Sequence, residues 1–138
     1  MTYAGDLDPV ETYRLLAKDP DAVLVDVRTR AEWTYVGLPD LRELGRDVVR
    51  VEWQSFPEQA PNGGFLDDLR RAGVRPDVPV AFICRSGARS RSAAEVATAA
   101  GYTAAYNVSD GFEGPPDAGG HRGTTSGWKV AGLPWRQS

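Results

Sequence analysis

Residues 80–101 read VAFICRSGARSRSAAEVATAAG and join two different periodicities within one short stretch. Val80–Ile83 is an apolar run, which is typical of a buried strand. From residue 90 to residue 100, small apolar side chains recur at helical spacing, and the predicted inner face holds Ala93, Val96, Ala97 and Ala100. Gly101 follows at a place where helices commonly end. The stretch therefore predicts a central strand, a tight loop and a helix that lies close against the sheet.

The rest of the chain alternates between strand-like and helix-like segments, which favours an α/β fold with a largely parallel sheet. Asp8 followed by Pro9 predicts a helix that runs to about Lys18. We expect further strands at 23–27, 48–52 and 104–108, and further helical segments at 30–35, 65–72 and 126–131. Residues 111–127 contain six glycines and two prolines. A loop of that length is usually functional or disordered, and the sequence leaves both interpretations open.

Length and composition narrow the classes of function. The 138 residues predict one domain, spanning 1–138. A formal net charge of −3 disfavours general binding to nucleic acid or to an anionic membrane surface. The most apolar run has only seven residues, and the first nine residues lack a secretory signal, so we expect a cytoplasmic protein. With one cysteine and one histidine, His121, no Cys/His zinc cluster can form. A metal bound by carboxylates is the alternative left open, but no pattern points to one, and we expect neither metal nor cofactor.

Cys84 is the candidate nucleophile. It follows the predicted central strand, and in parallel α/β sheets ligands bind beyond the carboxyl ends of the strands. The loop after it contains Gly87 and leads into a helix, so its backbone N–H groups can form an anion-binding nest. Three arginines within seven residues, Arg85, Arg89 and Arg91, favour the thiolate, and we expect substantial ionisation at neutral pH. A lone cysteine after a buried strand is more often an inert apolar side chain, but such cysteines do not lie in electropositive loops.

The segment CRSGARS, residues 84–90, resembles the active-site loop of the rhodanese family, the thiosulfate sulfurtransferases. The resemblance extends to VDVR at 25–28 with Glu32 and Trp33, to Asn107 and Val108 with a following glycine, and to the ending AGLP at 131–134 after a tryptophan. It therefore runs over nearly the whole chain in the family's order. One departure is that GLPD at 37–40 stands where the family usually has Gly-His-Ile, which affects local packing rather than catalysis.

The resemblance implies a central five-stranded, mainly parallel sheet flanked by helices. It also implies that Cys84 takes a sulfane sulfur from thiosulfate or a similar donor as a persulfide and passes it to cyanide or a thiol. A protein acceptor is a further option. Asp26 and Arg28 are interpreted as an ion pair that braces the loop, against the alternative of an ordinary surface pair. The residues that would hold the donor and the persulfide are Arg85, Ser86, Gly87, Ala88, Arg89 and Ser90.

Two other functions use the same features. Cysteine-dependent phosphatases and arsenate reductases also place a thiolate in a nest, but related phosphatases have Cys-x5-Arg, whereas Cys84 to Arg89 is Cys-x4-Arg. A non-enzymatic sulfur-relay or binding module would dock on a partner, for which Trp53, Phe56 and the segment from Trp128 to Trp135 offer an aromatic patch. The competing interpretation of these aromatic residues is that they cover the sheet. His121, in a glycine-rich loop, is expected to be solvated.

Overall fold

Nine short strands and four α-helices are present in the part of the chain that the structure, a computed structural model, describes: residues 3–55, 60–61 and 63–137. The strands are β1 Gly5–Leu7, β2 Val23–Asp26, β3 Leu38–Pro39, β4 Val49–Arg50, β5 Gln54–Ser55, β6 Ala60–Pro61, β7 Val80–Ile83, β8 Ala105–Val108 and β9 Trp135–Arg136. The helices are α1 Pro9–Lys18, α2 Arg30–Tyr35, α3 Phe65–Arg71 and α4 Ala88–Ala99.

Five strands form the main sheet in the order β1-β8-β7-β2-β4, and every neighbouring pair is parallel. The α/β class and the five-stranded parallel sheet flanked by helices are thereby confirmed. β7 lies in the middle and is buried along its whole length. The carboxyl ends of β2, β7 and β8 therefore meet at one edge of the sheet, which is where Cys84 follows β7.

The core consists of two apolar layers, one on each face of the sheet. Because side chains alternate along a strand, Phe82 enters the layer covered by α3 and α4, whereas Ile83 enters the layer that contains Leu16 of α1. Trp128 is fully buried in the second layer. Among the described helices, none is long and apolar enough to cross a bilayer.

The helix boundaries agree closely with the sequence predictions. Asp8 caps α1 by accepting a hydrogen bond from the Glu11 backbone N–H, and the Glu11 carboxylate accepts one from the Asp8 N–H in return. α4 begins two residues earlier than expected, and its buried face differs from the prediction. Ala94 is buried, whereas Val96 is 37% exposed and Ala100 is exposed as well. The buried face of α4 consists of Ser90, Ala93, Ala94 and Ala97, which recur at helical spacing. The prediction was wrong there because Val96 lies off this face and Ala100 follows the last helical residue.

The predicted helix at 126–131 is not present. Two hydrogen bonds, from Ala131 N to Gly127 O and from Gly132 N to Lys129 O, instead close successive turns. The chain then forms β9, which pairs antiparallel with β3. Short strands such as β1, β3 and β9 have too few residues to show a period of two, so the sequence could not indicate them.

The aromatic residues of the proposed docking patch separate in the structure. Trp53 packs edge-on against Phe65 of α3 with ring centroids 5.0 Å apart, and Trp128 is fully buried. Trp135 remains 39% exposed. Phe56 lies outside the described residues. For Trp53 and Trp128, the interpretation as cover for the sheet is the one that the packing supports.

Candidate active site

The Cys84 side chain lies at the end of β7 and is only 1% exposed. Its sulfur accepts a hydrogen bond from the Gly87 backbone N–H, with 3.0 Å between N and Sγ. Gly87 has φ of +117°, a conformation that side-chain-bearing residues rarely adopt, and this turn directs its N–H back to the sulfur. The loop therefore places at least one amide donor where negative charge on sulfur would develop.

The amino end of α4 lies directly after this turn. The first helical hydrogen bond runs from Arg91 N to Gly87 O. The N–H groups of Ala88, Arg89 and Ser90 precede it and have no acceptor within the helix. Together with the helix dipole, they make the loop a favourable place for an anion.

Three polar side chains connect the sulfur to the far strand of the sheet. The Ser90 hydroxyl oxygen lies 3.2 Å from Cys84 Sγ and 2.6 Å from Asn107 Oδ1 on β8. The Asn107 amide donates to Asp6 Oδ1 on β1 at 3.0 Å. Ser90 and Asn107 are buried, whereas Asp6 is exposed. A continuous series of polar side chains therefore links the exposed edge of the sheet to the buried thiol.

Arg89 forms a two-pronged ion pair with Glu32 of α2. Its Nη1 and Nη2 donate to the two carboxylate oxygens at 2.7 and 3.0 Å. Glu32 also completes a capping box with Thr29, so α2 is tied to α4 through one carboxylate. Burial opposes ionisation of Glu32, but hydrogen bonds from Arg89 and the Thr29 N–H outweigh it and hold the pKa of the carboxyl below its usual value. Arg89 is therefore not a free cation.

A cavity of about 770 Å³ opens beside the loop. Its volume is typical of a small-molecule site, which measures about 300–1,000 Å³. Arg85 is exposed and, with Arg89, brings positive charge to the wall, while Glu32 and Glu113 bring negative charge. The remaining lining residues are Thr29, Ala31, Tyr35, Val36 and Gln54. The wall is thus balanced in charge rather than strongly basic.

Asp26 and Arg28 form a buried ion pair, and the alternative of an ordinary surface pair is excluded. Both side chains are fully buried, with 2.6 Å between Arg28 Nη2 and Asp26 Oδ2. The same nitrogen donates to the Gly37 carbonyl oxygen at 2.6 Å. The guanidinium also stacks on Phe112, with its central carbon 4.3 Å from the ring centroid. This pair joins the end of β2 to the segments before β3 and after β8.

The glycine-rich segment at 111–127 packs on the backbone of the cysteine loop. Phe112 N donates to Cys84 O at 2.8 Å, and the N–H groups of Glu113 and Gly114 donate to Arg85 O. A Cβ on Gly111 would lie 2.4 Å from Cys84 O, so only glycine permits this approach. The segment is ordered, so the disordered interpretation is excluded, while a functional role stays a prediction. Its amino-terminal part packs against the loop that carries Cys84.

The sequence-predicted residues come together only in part. Cys84, Gly87 and Ser90 are in contact, Arg85 and Arg89 line the cavity, Ser86 is half-buried and Ala88 is exposed. The sequence did not indicate that Glu32 and Asn107 contact the helix after the cysteine loop, or that Asp6 contacts Asn107. A polar residue inside the apolar strand 104–108 was the available signal for Asn107, whereas nothing local indicates Asp6. His121 is exposed, as expected, and its backbone N–H donates to Asp117.

Comparison with known proteins identifies the family. The profile of the family described as STR4 middle domain matches residues 7–138. The protein THYLAKOID RHODANESE-LIKE of Oryza sativa subsp. indica is 31% identical over 132 residues, which are 95% of this chain and 25% of that protein. The crystal structure of Rv0390 from M. tuberculosis has 56% identity and a TM-score of 0.92, covering 99% of this chain and all of that one.

A second solved structure is that of a protein named for its activity. The polysulfide-sulfur transferase homodimer from Wolinella succinogenes has 25% identity and a TM-score of 0.63, covering 96% of this chain and 78% of that one. A rhodanese-like protein thus resembles this chain in sequence, and a sulfur-transferring protein resembles it in sequence and in fold. On the profile match and these likenesses, the chain belongs to the STR4 middle-domain family and is a rhodanese-like domain.

Proposed function

We propose that the protein is a sulfurtransferase in which Cys84 carries a sulfane sulfur as a persulfide. The observation that supports it most is the contact between Gly87 N and Cys84 Sγ at the amino end of α4. Cys84 is the single cysteine of the chain, so all thiol chemistry must pass through it. An ionised thiol held by amide donors needs no general base to attack an electrophile.

With thiosulfate as donor, the Cys84 thiolate attacks the outer sulfur. A new S–S bond forms to Cys84 while the bond between the two thiosulfate sulfurs breaks, and sulfite leaves with the electron pair. The persulfide keeps one negative charge, which the loop amides from Arg85 to Ser90 would stabilise. In the second step cyanide or a thiolate attacks the outer sulfur and regenerates the Cys84 thiolate.

The cavity supports an acceptor larger than cyanide. Its volume of about 770 Å³ exceeds what a small oxyanion needs, and its wall carries charges of both signs. A thiol compound, or a cysteine presented by a protein partner, matches that size and charge. A reactive thiol must also stay reduced between turnovers, so we place the protein in a reducing compartment such as the cytoplasm.

The decisive experiment is intact mass after incubation with thiosulfate, followed by steady-state transfer to cyanide. We expect one added sulfur on the wild type and none on Cys84→Ser, with the fold of the variant unchanged by circular dichroism. Transfer by purified Cys84→Ser above a few per cent of the wild-type rate would contradict the mechanism. Hydrolysis of an aryl phosphate at a rate comparable to sulfur transfer would instead favour the phosphatase class.

A persulfide that forms but is not passed to cyanide or small thiols would favour the sulfur-relay interpretation. In that case the added mass would persist until a protein acceptor is supplied. Slow turnover with stable loading therefore separates a relay module from an enzyme that acts on small molecules.

Donor binding should depend more on Arg85 than on Arg89, because the Arg89 guanidinium is already held by Glu32. We expect Arg85→Ala to raise KM for thiosulfate about 10-fold, the effect of one charge-assisted hydrogen bond, with a smaller change in kcat. The matched control is Arg91→Ala. Arg91 is exposed like Arg85, but it lies on α4 and outside the cavity wall, so this variant should leave KM unchanged. An unchanged KM in Arg85→Ala would show that its side chain does not meet the donor.

A further inference from the structure

In the series of hydrogen-bonded side chains from Asp6 to Cys84, the chemistry of each group determines which one donates and which one accepts. A carboxylate only accepts hydrogen bonds, so the Asn107 NH₂ group must face Asp6, at 3.0 Å. The Asn107 carbonyl oxygen consequently faces Ser90, at 2.6 Å. Asp6 thereby determines the orientation of the Asn107 amide, which cannot be read from heavy atoms alone.

The Ser90 hydroxyl has a single hydrogen and three acceptors within reach. They are Asn107 Oδ1 at 2.6 Å, Cys84 Sγ at 3.2 Å and Gly87 O at 3.2 Å. Asn107 Oδ1 is nearer than the other oxygen, Gly87 O, by 0.6 Å, and its contact remains the shorter one after allowance for the larger radius of sulfur. We therefore assign the hydrogen to Asn107 Oδ1. Toward the sulfur, Ser90 then presents a lone pair, which accepts from an S–H group and offers nothing to a thiolate.

We propose that Asn107, anchored by Asp6, is a positioning residue that keeps the Ser90 hydrogen off the Cys84 sulfur and so restrains ionisation of the thiol. This opposes the Gly87 amide and the amino end of α4, which favour the thiolate. The balance matters because nucleophilicity falls as a thiol becomes more acidic, and the most effective attacking thiol ionises near ambient pH. The purpose rests on the proposed sulfur transfer, but the ionisation itself can be measured without it.

Other charged groups lie around the sulfur and must stay constant in any test. The Arg89–Glu32 pair is on the side of α4 and α2, and the buried Asp26–Arg28 pair lies at the end of β2. The loops contribute Arg85 and Asp110, whose backbone lies beside Gly87, and Arg91 is exposed on α4. None of these residues is altered by a substitution at Asn107, Ser90 or Asp6.

The test is the pH dependence of alkylation of Cys84 by iodoacetamide, which reports one site because the chain has one cysteine. In Asn107→Leu the Ser90 hydrogen becomes available to the sulfur, and the midpoint should move about one pH unit lower, as one hydrogen bond to a charged group predicts. Asp6→Asn frees the Asn107 amide to turn over and should move the midpoint in the same direction by less. Asp6→Asn also removes a negative charge, which by itself favours the thiolate. The proposal therefore requires a larger shift for Asp6→Asn in the wild-type background than in a Ser90→Ala background. Because Asp6 is exposed, this pair of variants tests the proposal even if Asn107→Leu does not fold.

Two comparisons separate positioning from a structural effect. In a Ser90→Ala background, Asn107→Leu should produce no shift, because the hydroxyl through which it acts is absent. Tyr106→Phe, on the same strand but packed in the other core layer, should leave the midpoint unchanged. An unchanged or higher midpoint in the variants, or an equal shift in the Ser90→Ala background, overturns the proposal. Failure of the wild type to form a persulfide would overturn the proposed function alone.

Discussion

The Arg89–Glu32 pair shows how one side chain can serve both stability and the site. Glu32 caps α2 and binds both terminal nitrogens of Arg89, with each side chain 20% exposed. An ion pair with this two-pronged geometry and partial burial contributes more to the free energy of unfolding than an exposed pair does. It holds the helix that bears the cavity wall against the helix that follows Cys84.

Glu32→Gln should therefore lower the free energy of unfolding by about 1–2 kcal/mol at pH 7. The pKa of Glu32 is lower in the folded than in the unfolded chain, so its contribution is present above the unfolded value, about pH 4.3, and is lost as pH falls through the folded value. Urea unfolding at pH 7 and at decreasing pH should show the difference between variant and wild type shrinking in acid. Asp67→Asn, in an exposed pair with Arg70, is the control and should cost no more than about 0.5 kcal/mol.

At the scale of elements, the segment after β8 functions as a support for the cysteine loop. Gly111 has φ of +58° and touches the backbone of Cys84 and Arg85. Asp110 just before it also has a positive φ, of 64°, and is the single residue other than glycine with a positive φ in the described chain. Two consecutive residues in the left-handed region turn the chain sharply enough to lay Phe112 against the loop.

Gly111→Ala should lose sulfur transfer at least 10-fold and cost about 2–4 kcal/mol, because the added methyl overlaps the Cys84 carbonyl oxygen. Gly120→Ala is the control, because it measures the cost of placing alanine at a positive φ without any steric overlap. Gly120 has φ of +79° with open space around its Cβ position, so only about 1–2 kcal/mol is expected and activity should persist. Equal effects of the two substitutions would show that the close approach of Gly111 to the loop is unimportant.

At the scale of the molecule, segments near both ends of the described chain close the structure around the site. β1 adds the edge strand that carries Asp6, and β9 pairs with β3 and places Trp135 over Gly37. The indole N–H of the buried Trp128 donates to the Pro134 carbonyl oxygen at 2.7 Å. The C-terminal segment therefore satisfies a buried donor as well as covering apolar surface.

Truncation after Leu133 should lower Tm by about 10 °C, since it leaves the Trp128 indole without its acceptor and removes the β3–β9 pairing. Removal of only the last two residues is the control. Of the contacts made by described residues, it deletes the long, exposed one between Gln137 and the Tyr35 carbonyl, so Tm should stay within about 2 °C. An unchanged Tm in the longer truncation would show that β9 is dispensable.

What the sequence alone determined is local. Neighbouring residues indicate the apolar run of β7, the cap at Asp8, the helix that follows the cysteine loop, and the position of Cys84 between that strand and that helix. The resemblance to a family added the strand count, and the sheet has that count. Each of these features depends on spacing along the chain, which a sequence displays directly.

What only the tertiary structure decided is which distant residues meet. Asp6 reaches Asn107 across 101 residues, and Glu32 reaches Arg89 across 57. Whether Arg89 is a free cation and whether Asp26 and Arg28 are buried are consequences of packing between elements. Hydrogen bonds between side chains depend on distances below about 3.5 Å, and sequence separation carries no information about such distances until the sheet order is known.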